Sequence, residues 1–494
     1  MPTPRPRLAR VTATKLSSPP PPAAPEFSGT APAAGGSALF LRGLSQWARS
    51  TTALAGLVGV AAFVLYTVYS SLQWSSFTIR SWDLGIFTQL AKDYSQFQAP
   101  IVSLKGQGYN LLGDHFHPLL VLLGPVYRVF PSAFTLLVLQ NLLFAFSVAV
   151  ISHLAIKRLG RIPGVCIGGA YALAWGLQSA VDSQFHEIAF AVPLLALSLC
   201  ALMEEKWRSA WIWAALLVFI KEDLGLTVFV IGLVMALRAR KPAGLWLAAW
   251  GVAWFVLATK VILPAMNPSD TWAYQSQLDL SGLLSDPASL FQKDKVATVF
   301  LLVAITAGLS LFSPVALIVL PTLAWRFLSD LPAYWGQDWQ YSAVLMPIVF
   351  CAAIDALSRR KVLDSARLRL LSGVAIALIA VSLTGQYAFN RLNDPSASFS
   401  QAGNASATRA LATVPSGVTV ETDISLMSYL VDRTEVYWIG NKNPAPDYVL
   451  IDVSGRLGTP DSTAATEADA RYPGTRFTTV FADGHYQVAK RDAG

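Results

Sequence analysis

The run WIWAALLVFI (211–220), then Lys221-Glu222-Asp223, then LGLTVFVIGLVMAL (224–237) sets three consecutive charges inside one long apolar stretch. An ionised side chain at the centre of a bilayer costs roughly 2.5–3.5 kcal/mol on insertion scales. Two readings follow. Either the triplet is the apex of a helical hairpin that reaches the membrane surface, or it is a functional group kept at depth. Both require that the flanking runs be helices in lipid.

The remainder of the chain agrees. Of its 494 residues, 54% are hydrophobic and only 14% charged, against roughly 25% charged in soluble proteins. Such a chain cannot cover its surface with polar groups in water, so its solvent is the lipid bilayer. Disordered, collagenous, coiled-coil and disulfide-scaffold classes are excluded. Cys166, Cys200 and Cys351 all lie in apolar runs, so neither a disulfide framework nor a thiolate metal site is expected. The net charge of +7 is unevenly placed. Residues 1–50 carry six basic residues and one acid, whereas 391–494 carry nine basic and twelve acidic residues. That distribution fits membrane orientation and gives no reason to expect a nucleic-acid partner.

Residues 1–50 are rich in Pro, Ala, Ser and Arg, and read as a disordered basic tail. The first apolar run begins too far in, and is too long, for a cleavable signal peptide. Apolar runs near 52–72, 134–156, 162–180, 187–203, 207–220, 224–238, 243–263, 296–312, 314–328, 341–357 and 369–389 give about 11 spans. The fold class is therefore mainly α, a polytopic transmembrane helical bundle over 51–390. The first loop, 73–116, is long. Its part from Trp82 to Phe97 has helical periodicity and is expected along the interface, and 117–130 is read as interfacial or re-entrant.

With 11 spans, five basic clusters fall on one face: Arg42 and Arg49; Lys157, Arg158 and Arg161; Lys206 and Arg208; Arg238, Arg240 and Lys241; and the group from Arg359 to Arg369. The positive-inside rule makes that face cytoplasmic, with the N-terminus. Residues 391–494 are then extracytoplasmic. Val418-Thr419-Val420, 449–453 and 477–488 read as strands with helices between them, a small α/β domain.

Five polar clusters fall on the outer side. Asp83, within Ser81-Trp82-Asp83-Leu84-Gly85-Ile86-Phe87, is either a general base raised by desolvation or a helix cap. Asp114, His115 and His117, within GDHFHP (113–118), suit a metal, a phosphate or a proton shuttle, or form a polar turn before Pro118. His186 and Glu187 add a third imidazole and a carboxylate, or cap a helix start. They lack the second His of the zinc-protease signature. Lys221, Glu222 and Asp223 are the opening triplet. Arg326, followed by an aromatic and amide-rich run ending at Tyr341-Ser342, suits a phosphate clamp with sugar-stacking rings, or an ordinary aromatic belt. Convergence of all five on one face is the argument for a shared site. Asp83, His115, His117, His186 and Glu187 are the candidates for holding a divalent cation.

These motifs, WDLGIF (82–87), GDHFHP (113–118), FHE (185–187), KED (221–223) and Tyr341-Ser342, resemble a bacterial multi-pass membrane family of unassigned function, distantly related to the GT-C glycosyltransferases. The likeness spans roughly residues 50–350. It implies a GT-C-like bundle, a long first outer loop carrying a catalytic aspartate, and transfer of a sugar from a polyprenyl-phosphate donor to a glycan, lipid or protein acceptor. Asp83 matches that aspartate in position. Lys221 or Arg326 would hold the donor phosphate, and Asp114, His115, His117, His186, Glu187, Glu222, Asp223 and Tyr341 would line the cavity. The first loop has no Asp-x-Asp, which leaves metal dependence open. No GxGxxG or P-loop is present, consistent with a donor that is not a nucleotide.

A proton-coupled transporter or flippase is the competing reading, because buried Lys, Glu, Asp and His also suit proton transfer. Transporters, however, place polar groups near the midplane and show repeat symmetry. A non-catalytic scaffold displaying the outer domain leaves the charged clusters without a purpose. Sugar, acceptor and oligomeric state are not legible in the sequence.

Overall fold

The apolar runs form helices whose backbone groups are satisfied within each segment, as a bilayer demands. A computed structural model describes residues 50–79, 82–275, 285–359, 365–399, 403–454 and 463–493. The tail expected over 1–49 lies outside them. In chain order the helices are α1 (Thr51–Ser75), α2 (Trp82–Ser95), α3 (Leu123–Val129), α4 (Ala133–Leu159), α5 (Arg161–Ala172), α6 (Trp175–Asp182), α7 (Ala191–Met203) and α8 (Trp207–Ala215). Next come α9 (Leu224–Ala239), α10 (Ala243–Leu257), α11 (Leu263–Met266), α12 (Lys293–Ala304), α13 (Leu320–Leu328), α14 (Leu345–Arg359) and α15 (Ala366–Thr384).

Among the described residues, six helical stretches are long and apolar enough to cross a membrane: Thr51–Ser75, Ala133–Leu159, Arg161–Asp182, Ala243–Met266, Gln340–Arg359 and Ala366–Thr384. Shorter apolar helices occupy Pro118–Val129, Glu187–Met203, Trp207–Phe219, Leu224–Ala239 and Pro314–Leu328. Each short one matches a run too brief to span upright.

Close packing uses small residues, because lipid provides little hydrophobic drive between helices. A Cβ on Gly232 would stand 2.5 Å from Ala248 N, and one on Gly251 would stand 2.4 Å from Gly225 O. Thus α9 and α10 touch backbone to backbone, and this fixes the Lys221-Glu222-Asp223 corner that opens α9. At the far end of α9, Arg238 pairs with buried Asp355 of α14, which also accepts from Ser313 Oγ at 2.6 Å.

The helix expected along the interface differs in its setting. All eight residues from Leu84 to Ala91 in α2 are buried, including Thr88 and Gln89. One side of α2 faces the bundle. The other faces the segment that joins the first two strands of the C-terminal sheet: a Cβ on Gly85 would meet Met427 Sδ at 2.9 Å, and Lys92 Nζ donates to Val431 O and Thr434 O, each at 2.9 Å.

That sheet has five strands, β1 (Thr419–Thr422), β2 (Glu435–Trp438), β3 (Tyr448–Asp452), β4 (Phe477–Ala482) and β5 (Tyr486–Arg491), in the order β2-β1-β3-β5-β4. β1 runs parallel to β2 and β3, whereas β5 is antiparallel to β3 and β4. Glu421, fully buried in β1, accepts from Arg471 Nη2 at 3.0 Å, Tyr472 Oη at 2.8 Å and Asn443 Nδ2 at 2.7 Å. The Trp438 ring packs on Trp82, with centroids 4.4 Å apart. It thereby joins the sheet to the residue beside Asp83.

Candidate active site

Four loops and helix starts deliver the polar groups to one place. Asp83 sits in the first turn of α2, where a carboxylate is favoured by the helix dipole. The turn at 113–117 is locked from behind. A Cβ on Gly113 would lie 2.4 Å from Met266 O, and Asn267 Nδ2 donates to Gly113 O at 2.9 Å. His186 follows Gln184, whose φ of +65° is strained for a residue with a Cβ, and its own N–H donates to Gln140 Oε1 at 3.2 Å. Lys221, Glu222 and Asp223 fill the corner between the short helical segment Leu216–Phe219 and α9.

Ten of the eleven side chains singled out in the sequence line a single cavity of about 320 Å³: Asp83, Asp114, His115, His117, His186, Glu187, Lys221, Glu222, Asp223 and Tyr341. They come from five distant segments. Four acid–base pairs stitch them together. Asp83 Oδ2 lies 3.1 Å from His186 Nε2, His115 Nδ1 lies 2.8 Å from Glu222 Oε1, Lys221 Nζ lies 2.7 Å from Glu187 Oε1, and Lys105 Nζ lies 3.1 Å from Asp114 Oδ2. Glu222 also accepts from Phe116 N at 3.1 Å.

Asp83 is the most open of these, with 49% of its side chain exposed toward the cavity. Enclosure alone would raise its carboxyl, but the His186 imidazole holds it below the ordinary aspartate value and is itself raised in return. In the same way burial and Lys221 pull His115 down, yet Glu222 overcomes them and raises it, while the Glu222 carboxyl falls to about 2.

Two groups lack such partners. His117 Nδ1 and Asp223 Oδ1 are buried with no hydrogen bond from the protein. Burial pushes His117 down to about 4 and Asp223 up to about 6. His117 is therefore a neutral imidazole at pH 7, and Asp223 is the carboxylate nearest to exchanging a proton there. Both are free to meet a ligand's hydroxyl groups.

Arg326 does not line the cavity. It is fully buried behind the wall, where Nε donates to Tyr334 O at 2.7 Å, Nη1 to Ser342 Oγ at 3.0 Å and Nη2 to Gly336 O at 2.7 Å. Its donors hold the aromatic loop that presents Tyr334 and Tyr341, rings 4.9 Å apart. The residues that sequence reasoning missed are Lys105, Trp272, Tyr274 and Trp325. Tyr274 stacks on His115 with centroids 4.4 Å apart. None of the four stands out in sequence: Lys105, Trp272 and Tyr274 lie in loops with no periodicity to break, and Trp325 reads as one more apolar residue of the run 314–328.

Four of the five side chains proposed for a divalent cation are arranged here in acid–base pairs. Among the described residues, no three His, Cys, Asp or Glu side chains are grouped to hold a metal ion. The five candidates share the cavity, but Asp83 faces His186, Glu187 faces Lys221 and His115 faces Glu222.

A family model described as "Predicted membrane protein (DUF2079)" matches residues 73–494. No curated protein matches the chain. Two crystal structures of ArnT from Cupriavidus metallidurans are similar to it, one bound to undecaprenyl phosphate and one in the apo state. Both are 14% identical over 88% of this chain and 97% of theirs, with TM-scores of 0.54 and 0.50. The likeness shows the fold, an ArnT-like GT-C bundle. The chain belongs to the DUF2079 family of membrane proteins.

Proposed function

We propose that this DUF2079 protein is a membrane glycosyltransferase that moves a sugar from a polyprenyl-phosphate donor to an extracytoplasmic acceptor, with inversion and with Asp83 as the general base. The observation that carries the reading is the gathering of five distant polar segments around one cavity, beside which Asp83 is both ionised and open. The GT-C fold, and the undecaprenyl phosphate bound by one of the similar structures, support a lipid-linked donor. So does an apolar cleft of about 640 Å³ lined in part by Leu323, Ala324 and Phe327, on the same helix whose Trp325 faces the polar cavity. A prenyl chain in that cleft would reach the cavity around α13.

The reaction is a balanced displacement. Asp83 takes the proton of the acceptor hydroxyl as that oxygen bonds to the anomeric carbon. The bond from this carbon to the phosphate oxygen breaks, and its electron pair leaves on the polyprenyl phosphate. Attack opposite the leaving group inverts the centre. His186, held by Gln184 O at 3.1 Å, aims the carboxylate. The cations lining the cavity are Lys221 and Lys105. They take the role of stabilising the departing phosphate, while Arg326 supports the wall. His117, Asp223 and Tyr341 supply hydrogen bonds to sugar hydroxyls. The cavity opens beside the first turn of α9, while the Arg238–Asp355 pair lies at the other end of that helix. This position suits transfer at a membrane surface better than a transporter's midplane site.

Purified protein incubated with radiolabelled polyprenyl-phosphate sugars should transfer or hydrolyse at least one, and Asp83→Asn should not. A wild type that acts on none of them yet moves a solute across liposomes would overturn the reading.

A further inference from the structure

A second pocket lies outside the cavity, between α2, α3 and the loop that leads into β2. Its volume is about 470 Å³, and Lys92, Phe97, Tyr127, Arg128 and Asp432 are among its lining residues. We propose that it binds the zwitterionic headgroup of a phosphoethanolamine lipid from the surrounding bilayer. The claim is independent of the transfer reaction.

Chain continuity sets the depth. α3 ends at Val129, and the spanning helix α4 begins at Ala133, so the intervening residues lie where lipid meets water. The apolar side chains there point outward: Val129 is 67% exposed, Phe130 64% and Phe97 88%. Exposed aromatic residues at such a level are interface anchors. Phe97 is also strained, with φ of +58°, a region that bulky residues seldom occupy. Its N–H donates to Tyr94 O at 3.2 Å, and the next N–H donates to Asp93 O at 2.9 Å, so the turn that presents the ring is held. The Arg128 guanidinium lies 5.6 Å from the Phe97 ring centroid.

The pocket holds both charges that such a headgroup needs. Arg128, whose Nη1 donates to Ser95 O at 3.3 Å, has further guanidinium donors for a phosphate. Lys92 gives two of its three protons to backbone carbonyls and adds its charge. Asp432 supplies the carboxylate for an ammonium group. Tyr127 is only 2% exposed, lines the pocket, and its hydroxyl makes no hydrogen bond. A buried hydroxyl without a partner is unfavourable, and an ammonium N–H relieves that cost. Choline has no N–H to offer, and glycerol headgroups carry no cation for Asp432. The charge pattern thus selects ethanolamine.

Full-length protein, delipidated in mild detergent, would be titrated with phosphatidylethanolamine, phosphatidylcholine and phosphatidylglycerol, and retained lipid counted by native mass spectrometry. Phosphatidylethanolamine should be retained at least about tenfold better than either, the scale of one lost charge-assisted contact. Arg128→Gln and Tyr127→Phe should each reduce that retention, and Asp432→Asn should shift preference toward phosphatidylglycerol. Arg128 is on the surface, so its variant reports even if Asp432→Asn fails to fold. Soluble glycerophosphoethanolamine should compete only at far higher concentration, because it lacks the chains that meet Phe97 and Phe130. Equal retention of the three lipids, unchanged retention in Arg128→Gln, or equal competition by the soluble headgroup would each overturn the proposal.

Discussion

Asp83 and His186 stand 103 residues apart in sequence, and their side chains meet at 3.1 Å, carboxylate to imidazole, on the edge of the cavity. The pair keeps the carboxylate ionised and aimed, the state a general base must start from. Asp83→Asn keeps the shape and removes the basicity. Transfer should fall roughly a hundred- to ten-thousand-fold, the usual contribution of a general base, with little change in melting temperature because the side chain is half open to the cavity. Radiolabel transfer and a thermal melt on the same preparation check both halves.

The Lys221–Glu187 pair is far more enclosed, with 13% and 5% of the two side chains exposed. Removing one partner strands a buried charge, which costs about 3–5 kcal/mol. Lys221→Met and Glu187→Gln should each lower the melting temperature sharply. The double variant should recover part of the loss, a non-additivity that unrelated sites would not show. Thermal denaturation of the three variants in detergent measures the coupling.

These two pairs also show what the sequence made legible. Lys221-Glu222-Asp223 announced itself because ionised groups within an apolar run are costly and therefore have a reason to be there. The helix at α2 is legible too, as an expected interfacial helix, but its burial on both faces is not, since nothing local marks the polar Thr88 and Gln89 as buried. In the fold Gln89 Oε1 accepts from Leu104 N at 3.1 Å. β2 is harder to read because Glu435–Trp438 follows the charged Asp432-Arg433 pair and has no β-branched run like the Val418-Thr419-Val420 that marks the equally short β1. Lys105 was invisible for a different reason: its place at the cavity depends on Asp114 and the ring of Trp82, 5.5 Å from Nζ, and neither contact leaves a local pattern.

His115 and Glu222 make stability depend on pH in a defined direction. Burial opposes the His115 charge, but Glu222 raises its pKa overall. Its contribution is therefore complete below the ordinary histidine value and fades as pH rises through the raised one. Glu222, lowered to about 2, contributes above the ordinary glutamate value and is lost only as pH falls toward 2. Stability should be highest from mildly acidic to neutral pH and decline on the alkaline side. His115→Asn should flatten that decline, as read from melting temperatures between pH 5 and 9. An unchanged alkaline slope in the variant would count against the pair.

Gly113 tests how tightly the cavity floor is held. A methyl group there would lie 2.4 Å from Met266 O and 2.7 Å from Asn267 N, and backbone cannot swing aside as a side-chain tip can. Gly113→Ala should push the turn carrying Asp114, His115 and His117 away from α11, at about 1–3 kcal/mol, the common range for overpacking. Donor KM should rise in the same variant, because the turn lines the cavity. Kinetics together with a thermal melt separate this outcome from a harmless substitution.

Arg326 was a candidate phosphate clamp in the sequence, and its surroundings make it a wall support. Its Nε, Nη1 and Nη2 donate to Tyr334 O, Ser342 Oγ and Gly336 O, and its side chain has no surface in the cavity. Arg326→Gln leaves buried acceptors unmatched, each costing about 1–3 kcal/mol, and frees the loop that presents Tyr334 and Tyr341. The variant should lose several degrees of melting temperature. Lys221→Gln, by contrast, touches the cavity directly, and its transfer rate should fall even where the protein remains folded. The two roles separate in a salt titration with inorganic phosphate as competitor. A phosphate clamp would change the inhibition constant in proportion to activity, whereas Arg326→Gln measured well below its melting temperature should leave that constant near the wild-type value. A strong loss of phosphate inhibition in folded Arg326→Gln would restore the clamp and remove the wall assignment.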